Sequence, residues 1–382
     1  MKDFSFYNPT KIIFGRNSLK SISNELKERG YKKIFLTFGK GSLKNSFLYK
    51  AVKFELSEFE SLEFWGIEPN PRVETIRKAL EEAKNFNPDI VLAIGGGSVI
   101  DGSKLLVGSY YSDIDPWELV LDFSKVTKVL PLACILTVAA TGTEMDSFAV
   151  ITNWAKNEKK AFGDVRVNPI FSILNPEFTF SLSAEQTAYG IVDIYSHVCE
   201  QYFNTTKFAP IQDRFSESIL NTLIEYGPQL LKDLKNYDLR SIIMWSSTMA
   251  LNGIIGAGVN QDWATHGIEH EISAFYDIPH GAGLAIITPR WMKEVKKQKH
   301  DKLVQYGKRV WKLEGDNETI VSQSIELTFK FFKDLGVKMN LKEWEIDKSY
   351  FPVMIKRLVK EGVGEFPLSK EQIENILINS IN

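Results

Sequence analysis

The chain has 382 residues, of which 44% are hydrophobic and 25% charged, proportions that suit a folded globular protein and exclude wholesale disorder. That length exceeds one compact core and predicts two domains. A formal net charge of −2 argues against nucleic acid or an anionic membrane as the main partner, and two cysteines, Cys134 and Cys199, exclude a disulfide framework.

The amino terminus has no basic start followed by an apolar run, so no secretory signal is expected, and no apolar stretch approaches the ~18 residues of a membrane helix. A cytoplasmic protein is the simplest expectation. Lys33–Thr37 is a short apolar run stopping at Gly39, the pattern of a buried strand. After the breaker run Glu68-Pro69-Asn70-Pro71, the stretch Val73–Ala83 has helical spacing. Asp89–Ile94 reads as a strand buried on both faces and ending at Gly95, and Val129–Thr137 as another. Strand and helix alternating in this way predict an α/β, doubly wound parallel-sheet domain over residues 1–180. From Ser183 onward the periodicity becomes helical, over roughly 184–202, 209–227, 238–256 and 261–275. The expectation for 181–382 is therefore an all-helical domain. The lysine-rich piece Lys293–Lys302 reads as a solvated helix face.

Three loops after strands carry ligand-binding chemistry. Gly95-Gly96-Gly97-Ser98 closes a strand and opens a helix, where free N–H groups and the helix dipole suit a pyrophosphate. It is neither a Rossmann fingerprint, since Ile100 stands at the third glycine position, nor a P-loop. Gly39–Lys44 follows the first strand, where an adenine ribose sits in doubly wound sheets. It has no acid to hold a ribose 2′-hydroxyl and offers Ser42, Lys40 and Lys44, which favours NADP(H) over NAD(H). The loop Thr137–Glu144 presents hydroxyls suited to the diphosphate and the nicotinamide ribose.

Four of the five histidines fall between His197 and His280. Asp193 and His197 share a helix face at i,i+4, His266 and His270 repeat the spacing, and His280 follows a turn ending in Pro279. One aspartate with three imidazoles predicts a divalent metal site of mixed N/O ligation, suited to Fe(II) or Zn(II). Spacing leaves open whether His266 or His270 is the ligand. His266-Gly267-Ile268-Glu269-His270 also fits the H-x-x-E-H pattern of inverted zinc peptidases, which would leave Asp193, His197, His280 and the three loops unused.

Gly95–Ser98 with Asp101 and Lys104, the Glu68–Pro71 run, Ala140–Met145 and His266-x3-His270-x9-His280 together resemble the iron-containing (group III) alcohol dehydrogenases, in particular their NADPH-dependent butanol dehydrogenase and aldehyde reductase branch. The resemblance runs from Asn8 to about Lys297 and more weakly to the carboxyl terminus. It implies a dinucleotide domain, a helical domain, and metal and nicotinamide meeting in a cleft between them. It implies metal ligation by Asp193, His197, His266 and His280, with His270 as proton relay and His300 as a surface bystander. The implied cofactor contacts are Gly39, Ser42, Asn70, Gly96, Gly97, Ser98, Asp101, Thr137, Thr141, Lys159 (with Lys160 the adjacent alternative) and Leu182. The implied activity is interconversion of small aldehydes and primary alcohols of the butanal/butanol type, by a homodimer. Alternatives within the superfamily are a glycerol-dehydrogenase-like polyol oxidoreductase and a dehydroquinate-synthase-like lyase. The aromatic residues Tyr195, Trp263, Phe275 and Tyr276 suit an uncharged substrate and count against the lyase. Two departures from relatives stand out. Asp146 replaces a common asparagine, which would alter contacts to the nicotinamide ribose. Gly267 replaces a larger basic side chain, which would widen the cleft.

Overall fold

The computed structural model describes all residues 1–382 and divides into two units, Tyr7–Leu182 and Ser183–Asn382, with Met1–Phe6 joining the second. The leading residues, counted with the first domain in the sequence expectation, pack on the helical unit. Lys2 N–H donates to the Gly258 carbonyl at 2.8 Å, and the amino terminus donates to the Lys207 carbonyl at 2.8 Å. No helix is long and apolar enough to cross a membrane.

The first unit is built on six parallel strands: β1 (Lys11–Phe14), β2 (Lys33–Gly39), β3 (Glu60–Ile67), β4 (Ile90–Gly95), β5 (Leu132–Leu136) and, after an antiparallel hairpin of β6 (Phe148–Asn153) and β7 (Glu158–Gly163), β8 (Phe171–Leu174). Their spatial order is β1-β8-β5-β4-β2-β3. Helices α1 (Ile22–Glu28), α2 (Phe47–Glu55), α3 (Val73–Phe86), α4 (Gly97–Ser109) and α5 (Pro116–Leu121) accompany the sheet. Every residue of β4 and β5 is buried, which is why both read as unbroken apolar runs. Ile34, Leu36 and Phe38 of β2 join Ile90, Leu92 and Ile94 of β4 in one core cluster with Ile22, Leu26, Leu48 and Val52 of α1 and α2. Truncating one of these fully buried leucines, such as Leu92, to alanine would cost roughly 2–5 kcal/mol.

The second unit begins at Ser183, whose hydroxyl accepts from the Gln186 N–H in a capping box that starts α6 (Ala184–Tyr202). It continues through α7 (Pro210–Lys232), α8 (Tyr237–Leu251), α9 (Ala264–Tyr276), α10 (His280–Val295), α11 (His300–Arg309), α12 (Asn317–Asp334), α13 (Phe351–Glu361) and α14 (Lys370–Asn379). The expected helix over 238–256 ends earlier, at Leu251, because the chain turns through Gly253 at φ +92°. The helix expected from 261 starts at Ala264, since Trp263 adopts a left-handed conformation at φ +61°.

The lysine-rich stretch is not uniformly solvated. Lys299 is buried with its ammonium 2.9 Å from Asp262 Oδ2 and bonded to Glu365, and Lys302 bonds Asp213. Lys302 thus ties α11 to α7 and Lys299 ties connecting segments together, while Lys293, Lys296 and Lys297 face water.

Candidate functional site

Within the first unit, the topology selects one crevice. β2 connects to β3 on one side of the sheet and β4 connects to β5 on the other, so the loops leaving adjacent strands β2 and β4 diverge. In open parallel sheets this switch point at the carboxyl ends of the strands is where nucleotides bind. Gly39 ends β2, and Gly96, Gly97 and Ser98 follow β4. Thr137 follows β5 with its N–H donated to the Gly95 carbonyl at 2.9 Å, and Asn70 lies just past β3. Ser42 is exposed on the β2 loop beside Gly41, whose φ is +118°. Lys159 Nζ donates to Asn70 Oδ1 at 2.9 Å, bringing two expected contacts together. Leu182 is the last residue of the unit, half-buried, with its N–H on the Thr179 carbonyl.

The amino end of α4 has no side-chain cap, so the backbone N–H groups of its first turn suit an anion. Gly97 is required by a close approach. A Cβ there would lie 2.6 Å from Thr141 Oγ1, so the glycine lets the threonine loop press against the turn.

Asp101, another expected contact, is tied to the protein's own loops. Its carboxylate accepts from Thr143 Oγ1 at 2.6 Å and from the Val150 N–H at 2.9 Å, which ties α4 to the loop after β5 and to β6. Beside it, the fully buried Lys104 ammonium donates to Thr143 Oγ1 (2.7 Å), the Phe148 carbonyl (2.7 Å) and Asp146 Oδ1 (2.6 Å). Asp146, the departure from relatives noted in the sequence, therefore turns inward onto Lys104. Its burial outweighs the lysine's attraction and pushes its carboxyl up to about 7.

In the second unit, Asp193 and His197 on α6, His266 on α9 and His280 at the start of α10 bring one donor atom each within 4.8 Å of one another. His197 Nδ1 and His280 Nε2 lie 3.3 and 3.7 Å from Asp193 Oδ1. The ring centroids of His266 are 4.6 Å from His197 and 5.2 Å from His280. α10 reaches α6 this closely because residue 281 is glycine; a Cβ there would lie 2.2 Å from the Tyr189 carbonyl oxygen.

These residues fit a divalent metal on their own chemistry. A tetrahedral ion with bonds of ~2.1 Å has ligand–ligand edges of about 3.4 Å, close to the separations found here. Burial, reinforced by His266, holds His197 well below the usual imidazole range, which keeps it neutral with a lone pair to give. The two cysteines offer no thiolate, since burial raises both: Cys134 to about 12, and Cys199 well above its ordinary range.

Two carboxylates that the sequence analysis did not assign to the site complete it. Glu200 Oε1 accepts from the His266 N–H at 3.1 Å and from Thr265 Oγ1, and lies 3.0 Å from His266 Nδ1. Glu269 Oε2 bonds His280 Nδ1, while its other oxygen accepts from Ser273 Oγ. Each fixes a histidine tautomer and leaves Nε2 as the donor. Burial pushes the Glu200 carboxyl up to about 7. Glu200 lies three residues after His197 on the same helix face, which was the sequence signal available for it.

His266 is therefore grouped with the three other donors, and His270 stands beside them in a second group with Glu269 and His280, its ring 5.6 Å from that of His280. Glu269 is fully buried under His280 rather than aimed at an open water position, which removes the inverted-peptidase reading. Of the four aromatics expected around the ligands, only Trp263 adjoins them, 5.1 Å from His266. Tyr195 bonds Tyr306 in the core, Phe275 stacks on Tyr350, and Tyr276 donates to the Asp347 carbonyl. His300 pairs with Glu318 away from the site.

The family profile of iron-containing alcohol dehydrogenases matches residues 9–176, and that of the carboxyl-terminal domain of Fe-containing alcohol dehydrogenases matches 187–381. The NADH-dependent butanol dehydrogenase A of Clostridium acetobutylicum is 40% identical over 389 aligned positions that span both chains completely. The NADPH-dependent aldehyde reductase YqhD of Escherichia coli is 40% identical over 369 positions, covering 96% of this chain and 95% of that one. A crystal structure of NADH-dependent butanol dehydrogenase A from Thermotoga maritima superposes with a TM-score of 0.96 at 34% identity, covering 100% and 99% of the two chains.

Proposed function

The chain belongs to the iron-containing alcohol dehydrogenase family and is an NAD(P)-dependent oxidoreductase of alcohols and aldehydes with a divalent metal; on that premise we propose that it interconverts small uncharged aldehydes and primary alcohols of the butanal type, with NADP(H) preferred. The observation that carries this reading is the quartet Asp193, His197, His266 and His280, with Glu200 and Glu269 behind it. The bound ion, Fe(II) or Zn(II), supplies Lewis acidity to a carbonyl oxygen and the bound nicotinamide supplies hydride.

The chain's own residues do the rest. Asp193, His197, His266 and His280 hold the ion. Asp193, His197 and His266 are nearly closed to solvent, whereas the His280 side chain keeps 22% exposure, so the substrate side lies by His280 and His270. Glu200 and Glu269 keep two imidazoles in the donating tautomer. His270 holds the proton destined for the product oxygen and exchanges it with water. Asn70, held by Lys159, and the turn Gly96–Ser98 hold the dinucleotide, while Asp101 and Lys104 keep the Thr141–Thr143 loop in place.

The NADP(H) preference rests on the acid-free loop Gly39–Lys44 with its exposed Lys40, Ser42 and Lys44. We further propose a cytoplasmic homodimer; a monomeric mass by light scattering would remove the dimer.

The deciding experiment loads the purified protein with Fe(II) or Zn(II) and follows oxidation of NADPH and NADH separately with butanal. The expected result is butanal-dependent oxidation, faster with NADPH, and a preference shifted at least ~10-fold toward NADH in Ser42→Asp. No oxidation of either cofactor across several aldehydes would refute the activity. A preference for NADH would refute only the reading of the loop.

A further inference from the structure

The open side of α9 carries a gap. Gly267 and His270 are half-exposed positions three residues apart on one face of α9, with the half-exposed Trp263 just before the helix, while His266, Ile268 and Glu269 are buried. Gly267, one turn before His270, contributes no side chain, yet the space above it is not empty. A Cβ on Gly267 would lie 2.9 Å from Val363 Cγ1 and 3.4 Å from Val363 Cβ. Instead of a wider site, as the bare sequence suggested, the glycine makes a notch that a valine from the carboxyl-terminal region fills.

That valine is delivered by a segment whose conformation is tightly set. Val363 lies between α13 and α14, flanked by Gly362 at φ +69° and Gly364 at φ +103°, both in the region that favours glycine. The next residue, Glu365, anchors the segment. Its carboxylate accepts from Asn260 Nδ2 at 2.7 Å, from the Thr205 N–H at 3.1 Å and from the Thr205 hydroxyl, and it bonds the buried Lys299 ammonium. Lys299 also pairs with Asp262, the residue before Trp263, so one buried cation ties the strap to the start of α9.

We propose that Val363, seated in the Gly267 notch and held there by the Glu365 anchor, is the wall that limits the length and branching of the aldehyde's carbon chain. This rests on reading the histidine site as that of an aldehyde reductase. A β-branched side chain has little rotamer freedom with which to yield, so it presents a fixed apolar surface over Gly267, one turn before His270. Adding or removing room for a methylene in such a pocket changes discrimination by about 10–200-fold.

The test measures kcat/KM of the metal-loaded enzyme for ethanal, butanal, hexanal and 2-methylbutanal in wild type, Val363→Ala and Val363→Phe, with metal content determined for each. The expected result is that the hexanal-to-ethanal and 2-methylbutanal-to-ethanal ratios rise about tenfold in Val363→Ala and fall about tenfold in Val363→Phe. Most of the change should lie in KM, with metal content unchanged. Glu365→Gln, which keeps the volume but loses the charge facing Lys299, should broaden the range in the same direction as Val363→Ala. If wild type reduces aldehydes and both Val363 variants keep its ratios within twofold, the wall is refuted and the activity stands. If wild type reduces none of the four, the activity and the wall fall together.

Discussion

Replacing Glu269 by glutamine tests whether the buried carboxylates tune the metal site. A carboxylate on the far nitrogen of a ligating imidazole lies about 6–7 Å from the ion. At an effective dielectric of about 20, its attraction to a dication at 7 Å is about 5 kcal/mol, which is an upper bound on the loss. Glutamine retains an acceptor for His280 Nδ1 and can still meet Ser273 Oγ, the two groups Glu269 bonds in the structure. The tautomer should therefore survive and only the charge be lost. Outer carboxylates of this kind typically contribute 10–100-fold in metal affinity, or about 1.4–2.7 kcal/mol. Competition for Zn(II) against a chromophoric chelator should show a Kd raised by that factor in Glu269→Gln, and by more in Glu269→Ala, where His280 also loses its acceptor. An affinity within twofold of wild type in both variants would refute the assignment of Glu269 to the site.

Three further outcomes follow from the same geometry. Chelation should lower Tm reversibly, since an ion present at 100 times its Kd stabilises the folded state by about 2.7 kcal/mol; an unchanged melting curve with and without Zn(II) would count against the quartet as a metal site. Burial raises the Asp146 carboxyl from 3.8 to about 7, so the folded chain holds that proton more tightly than the unfolded chain, and wild type should lose stability relative to the non-titrating Asp146→Asn as pH rises from about 4 to 7, by up to about 4 kcal/mol. Urea melts giving the same difference at pH 5 and 7.5 would contradict this. Gly97→Ala places a Cβ 2.6 Å from Thr141 Oγ1, and the resulting overpacking of about 1–3 kcal/mol should raise the KM for NADPH at least ~10-fold with metal content unchanged; an unaltered KM would remove the close-packing argument.

Strands β2, β4 and β5 were legible because burial on both faces leaves an uninterrupted apolar run, and α6–α9 because their periodicity survives. β3 was not, since Glu60 and Glu63 interrupt it; Glu63 stays there by bonding Tyr49, Trp65 and Lys53, contacts no local pattern announces. The β6–β7 hairpin is too polar around Asn153–Lys160 to read as strand, and its place is fixed from outside by Asp101 and Lys104 on α4. The candidate quartet Asp193, His197, His266 and His280 was visible through helical spacing and a resemblance. Choosing between His266 and His270 from the chain itself required knowing which of them faces α6.

The charge balance of the candidate metal site gives its outer carboxylates a physical reason to be there. Asp193, Glu200 and Glu269 are all buried in the helical unit, where isolated carboxylates cost several kcal/mol each unless a cation or strong donors face them. Three other acids in the molecule have lysine partners: Asp146 meets Lys104, and Asp262 and Glu365 meet Lys299. Around the quartet the carboxylates face imidazoles, one of which, His197, burial keeps neutral. Three buried carboxylates grouped around imidazoles suit a divalent cation, whose charge would also favour the ionised form of Glu200. The histidine cluster named the type of site, but its carboxylates specify the charge of what fills it.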